Sequence, residues 1–160
     1  LSFIRQLPHI RVVVVGSLGK AFGIPAGAIF GNKDLIEKLQ KSPYFGGASP
    51  AIPAYLYAFL QAGSLYSEEL KKLFTTTDHF LNQLTHPGTF SFFEHYPVFY
   101  TSQKVLYYHL LQQGIMISSF RYPTPTDEPI TRVVLNSLHT PNDLKQLTES
   151  INLFCEKVAI

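Results

Sequence analysis

The chain has 160 residues, 46% of them hydrophobic and 15% charged, with a formal net charge of +2, the balance of a globular, well-buried protein rather than a disordered one. It has no basic run dense enough for nucleic acid, and its single cysteine, Cys155, excludes an internal disulfide or a cysteine metal cluster. Its longest apolar runs are far too short to span a bilayer.

The chain begins at Leu1 without an initiator methionine, and residues 1–10 lack the charged, apolar and small-residue succession of a signal peptide. The expectation is a piece of a longer protein. Residues 11–15 (RVVVV) are apolar on both parities, which predicts a strand covered on both faces in a parallel sheet. A second short strand is predicted over 28–30. Asn32 is placed to cap a helix over 33–41 whose Leu35, Ile36 and Leu39 share one face. Residues 43–50 (PYFGGASP) read as a loop. A buried helix is predicted over 54–66, then a longer amphipathic one over 68–84, stopped by His86-Pro87-Gly88.

Short aromatic strands are predicted over 90–93 and 98–101, a helix over 103–113 ended by Gly114, and strands over 115–120 and 130–136. Thr140-Pro141-Asn142-Asp143 opens the last helix with a hydroxyl cap, a proline and an acid near the positive end. From residue 90 onward the pattern is that of a small α+β domain.

The glycines and lysine of VVVVGSLGKAFG, residues 12–23, invite two phosphate-loop readings, and both fail on spacing. A P-loop needs a glycine where Val14 stands and a hydroxyl where Ala21 stands. Gly16, Gly19 and Gly23 also miss the dinucleotide fingerprint. The remaining chemical reading is a covalent lysine. Lys20 attacks a carbonyl only as the neutral amine, and Ser17 can bind an anionic group beside it.

Ser17-Leu18-Gly19-Lys20-Ala21-Phe22-Gly23, followed by Gly27, resembles the Schiff-base lysine segment of pyridoxal-phosphate enzymes of the aspartate-aminotransferase fold, type I. It is most similar to the α-oxoamine synthases, the group of 8-amino-7-oxononanoate synthase and 2-amino-3-ketobutyrate CoA ligase. Residues 43–51, Gly114-Ile115-Met116-Ile117, Thr131-Arg132-Val133-Val134-Leu135 and His139-Thr140 follow in that family's order. The resemblance implies an α/β PLP-transferase fold. Residues 1–66 would be the remnant of the cofactor-binding large domain, 67–89 a connecting helix, and 90–160 the small α+β domain.

The resemblance also implies pyridoxal 5'-phosphate as cofactor, with Lys20 as catalytic anchor and Ser17 on the phosphate. Ser49 would reach the phosphate of a neighbouring subunit, although Gly46-Gly47 replace other hydroxyls of that loop. Arg132 would clamp the amino acid's carboxylate; the residue-level alternative is an ion pair with Glu128. Ile130 stands where the family often has another arginine. A homodimer, amino-acid and acyl-CoA substrates and a cytoplasmic location complete what the resemblance implies. No metal, nucleic-acid or membrane partner is expected.

His139 is read as structural, Cys155 as core beside Ile151, and residues 122–125 (YPTP) as a family-like loop. The family's aspartate for the cofactor's ring nitrogen lies ahead of the lysine. None of the 19 residues before Lys20 is an aspartate, and Asp34, Asp78, Asp127 and Asp143 all follow it. The isolated chain is therefore expected to be inactive. Two alternatives stay open: an aminotransferase fragment, which the absence of arginine in 25–32 disfavours, and a non-catalytic assembly module.

Overall fold

A computed structural model describes residues 10–158. The chain divides into two compact units, one up to Tyr66 and one from Ser67 onward, and each is described by itself.

The first unit opens with β1 (Val14–Ser17) and β2 (Gly27–Phe30), paired antiparallel with Val15 opposite Ile29. The expected parallel strand is thus antiparallel. Only nine residues separate the two strands, and a parallel pair needs a crossover of about a dozen or more. The expected burial fails as well. Val15 is 73% exposed and Phe30 62%, because among the described residues no layer covers this ribbon.

Asn32 caps α1 (Lys33–Gln40) as expected, its carboxamide oxygen accepting from Leu35 N–H at 2.9 Å. The segment read as a loop contains a one-turn helix, α2 (Pro43–Gly46). Ser42 supplies its cap by accepting from Phe45 N–H, and Pro43 at the first position needs no donor partner. The helix predicted over 54–66 is split into α3 (Pro53–Gln61) and the start of α4 (Gly63–Gln83). Gly63, a poor helix former, marks the break. No residue of α3 is buried, against expectation. Its apolar surface runs all round, and among the described residues only its Phe59 finds ring partners, in Phe22 and Tyr66.

The second unit is a helix layer on an antiparallel sheet. The sheet has the order β3–β5–β4, with β3 (Val98–Thr101), β4 (Ser118–Arg121) and β5 (Pro129–Val134). The strand predicted over 90–93 shrinks to one bridge, Ser91 to Tyr100. The reason is a turn in which Tyr96 N–H donates to Phe93 C=O and His95 takes a φ of 58°. Thr131 and Val133 of β5 and Phe99 of β3 face the helices α4, α5 (Val105–Gln112) and α6 (Pro141–Val158). Phe80, Leu106, Leu110, Ile151, Phe154 and Cys155 belong to this core, with Cys155 beside Ile151 as the spacing predicts.

Polar ties close the layer. Asn152 donates to Gln83 C=O and accepts from Thr85 N–H, joining α6 to the end of α4. The end of α5 is a Schellman motif: Ile115 N–H reaches Leu110 C=O while Gly114 holds a φ of 75°. Thr140 and Asp143 cap α6 reciprocally, at 3.2 Å from Asp143 N–H to the hydroxyl and 2.8 Å from Thr140 N–H to the carboxylate.

Candidate functional site

Lys20 sits in the loop that joins β1 to β2, with its side chain exposed. The loop is tight because its backbone bonds to itself. Leu18 N–H donates to Ala26 C=O at 2.8 Å, and Ile24 N–H donates to Leu18 C=O at 2.9 Å. Gly23 has a φ of 65°, a conformation that few residues other than glycine adopt. Ile24 is buried beneath the turn.

A second brace comes from the aromatic cluster. Phe22 meets Phe59 and Tyr66 edge-on at 5.3 and 5.0 Å, and the Tyr66 hydroxyl donates to Phe22 C=O at 3.0 Å. Ser17 lies three residues ahead of the lysine, and its Oγ accepts from Gly19 N–H at 3.3 Å. The turn thus offers an exposed primary amine with no carboxylate partner among the described residues and a hydroxyl beside it. Those groups fit a cofactor with an aldehyde and an anionic group. Ser49 lies exposed between α2 and α3.

Arg132 stands on β5, the central strand of the other sheet, half-buried on the face away from the helices. Tyr100 and Ser118 lie directly opposite it in register. The ion pair with Glu128 does not form: Glu128 is bonded to Lys104 instead, and this partner holds its carboxyl below the ordinary value. Asp127 is also engaged locally. It accepts from the Thr124 hydroxyl at 2.6 Å and from Thr124 N–H at 2.7 Å, which lowers its carboxyl too. Arg121 donates to the carbonyls of Thr126 and Asp127, so the 122–128 loop uses up its own charges.

Arg132 is left without a carboxylate among the described residues, and its Nε is buried without a hydrogen bond. The guanidinium lies over the Phe120 ring, 5.2 Å from its centroid. Neither Phe120 nor Lys104 was singled out by the sequence; the alternation of β4 about Ser118 was the available signal for Phe120.

The remaining histidines do not form a site. His139 accepts Asn136 N–H on Nδ1 at 3.1 Å and shapes the turn before α6, and no metal-holding group of His, Cys, Asp and Glu exists among the described residues. Two hollows of about 290 and about 430 Å³ lie in the second unit, both bordered by His139 and neither by Arg132. No helix among the described residues is long and apolar enough to cross a membrane.

Comparison with solved structures defines the fold. A serine palmitoyltransferase variant from S. paucimobilis, with bound PLP–myriocin aldimine, superposes with a TM-score of 0.72 at 17% identity, over 92% of this chain and 40% of that one. The 8-amino-7-oxononanoate synthase of Francisella tularensis superposes with a TM-score of 0.64 at 20% identity, over 93% of this chain and 47% of that one. The fold is therefore that of part of a pyridoxal-phosphate-dependent transferase of fold type I.

The sequence narrows this further. The family model "Aminotransferase class I and II" matches residues 2–151, and the chain belongs to that family. The 8-amino-7-oxononanoate synthase of Thermosipho melanesiensis is 30% identical over 95% of this chain and 42% of its own length. That of Petrotoga mobilis is 32% identical over 82% of this chain and 36% of its own. The chain thus spans about two fifths of the length of these relatives.

Proposed function

We propose that this chain is the C-terminal part of a pyridoxal-phosphate-dependent acyltransferase of the α-oxoamine synthase type, which joins an amino acid to an acyl-CoA. The collinear match of 95% of the chain to an 8-amino-7-oxononanoate synthase carries this reading. Lys20, on its braced turn, anchors the cofactor's aldehyde carbon and moves the proton at the amino acid's α-carbon. The Ser17 hydroxyl holds the phosphate, and Ser49 does so across a subunit boundary. Arg132 takes the amino acid's carboxylate in its planar fork. When bound, the cofactor supplies an electron sink for charge at the α-carbon.

In this reading residues 1–66 belong to the large domain, 67–89 connect, and 90–160 form the small domain. The active assembly is a cytoplasmic homodimer. The unpaired, buried Cys155 suits a reducing compartment. Exposed apolar residues of the β1–β2 ribbon, such as Val15 and Ile29, suit a chain that associates. The 160-residue chain alone does not turn over, because no acidic residue precedes Lys20 to keep the cofactor's ring nitrogen protonated.

Borohydride reduction of the full-length protein with pyridoxal phosphate, followed by peptide mass mapping, tests the reading. A pyridoxyl group on Lys20 is expected; label elsewhere or nowhere overturns it. Release of free CoA thiol from an acyl-CoA separates the acyltransferase from an aminotransferase, which would release an oxo acid. Residues 25–32 contain no arginine, which favours the acyltransferase.

A further inference from the structure

The surroundings of Arg132 are unequal. Tyr100 and Ser118 face it directly across the two neighbouring strands. Phe120, opposite Ile130, is one diagonal step away, a position that aromatic and long side chains bridge on an antiparallel sheet. Its ring is the one aromatic group that meets the guanidinium among the described residues, at 5.2 Å.

Among the described residues no acid pairs with that guanidinium. Glu128 is taken by Lys104 and Asp127 by Thr124. Arg132 Nε–H remains a buried donor without an acceptor, and such a donor is costly unless something meets it. An aromatic face attracts the cation through its quadrupole without accepting the fork's hydrogen bonds. A carboxylate neighbour would instead consume the fork. Phe120 is 42% exposed and stands outside the hydrophobic core, and its ring partner among the described residues is Tyr122 at 6.5 Å, so core packing does not account for its place.

We propose that Phe120 is a positioning residue: its ring holds the Arg132 guanidinium on the sheet face away from the helices, where no carboxylate among the described residues claims its fork and an incoming one can. It acts through Arg132 and touches no reacting atom. The inference rests on the reading of Arg132 as the carboxylate clamp.

The test uses the whole chain with ¹⁵N-labelled arginine and acetate as the probe. The Arg132 Nε–H resonance is assigned by its loss in Arg132→Lys. In the parent chain that resonance shifts saturably as acetate is added. Phe120→Leu weakens the apparent affinity about two- to fivefold, the size of an exposed cation–π contact, and Phe120→Tyr retains it. All of these chains keep the parent's thermal midpoint.

Equal acetate affinity in the parent and Phe120→Leu overturns the inference while leaving the clamp intact. A lowered thermal midpoint in Phe120→Leu with unchanged acetate affinity also overturns it, since that is a packing role. No response of the Arg132 resonance in the parent overturns the clamp itself, and the inference with it.

Discussion

Replacing Phe99 with alanine probes the support beneath Arg132 most directly. Phe99 is fully buried on β3 and pairs in register with Val133, the strand neighbour of Arg132. Its ring lies 4.8 Å from Phe80, 5.3 Å from Phe92 and 6.4 Å from Phe90. Truncation removes the transfer free energy of the ring and leaves a cavity that these neighbours fill only in part, at a cost of about 3–5 kcal/mol. Against a domain stability of about 5–15 kcal/mol, that removes much of the margin. Phe99→Leu keeps four of the seven side-chain carbons and is expected to cost less than Phe99→Ala. Phe93→Ala, at a side chain 73% exposed, is expected to stay within about 0.5 kcal/mol.

Urea unfolding followed by far-UV circular dichroism and tyrosine emission reads all three, since the chain has no tryptophan. A shifted midpoint at constant slope marks a change of stability. If Phe99→Ala costs no more than about 1.5 kcal/mol, the range of a volume-conserving swap, the ring is not the keystone of this layer.

Two smaller effects should follow from the last helix and the β4–β5 loop. Thr140→Ala removes the hydroxyl that accepts from Asp143 N–H and should lower stability by about 1 kcal/mol, with Thr140→Ser close to the parent in the same urea assay. Hydrogen bonds from Thr140 hold the Asp143 carboxyl below its ordinary value of 3.8, and Lys104 does the same for Glu128, whose ordinary value is 4.5. A carboxyl depressed in the folded state adds stability that is fully present above its unfolded value and is lost as pH falls through the folded one. The urea midpoint should therefore hold between about pH 7 and about pH 5 and drop below about pH 4; Asp143→Asn should flatten the drop, and an unchanged acid limb would count against the cap.

The elements that the sequence predicted well are those whose signals are local. Asn32 caps α1 with its own side chain, Gly114 ends α5 with a positive φ, and Thr140 and Asp143 close on each other within one turn. Where the prediction missed, the deciding partner lay elsewhere. The RVVVV run has the composition of a doubly covered strand, but burial depends on layers, and none covers it among the described residues. The same holds for α3, apolar all round and nowhere buried. The aromatic 90–93 stretch has strand propensity, but the turn at Phe93 to Tyr96 leaves Ser91 as its single bridged residue.

The candidate site divides along the same line. Ser17 ends β1 and Lys20 follows three residues on in the loop, so their spacing in sequence already fixes that they are neighbours. Arg132 depends on contacts across strands. Its residue-level rival, the pair with Glu128, looked natural at a spacing of four, but on a strand that spacing puts two residues about 13 Å apart. Glu128 stands just ahead of β5, within reach of Lys104, and is lost to Arg132. A guanidinium is costly to bury without partners, and Arg132 lies half-buried over Phe120 with no carboxylate partner among the described residues. An external carboxylate would be such a partner, and the acetate titration asks whether Arg132 is built to receive one.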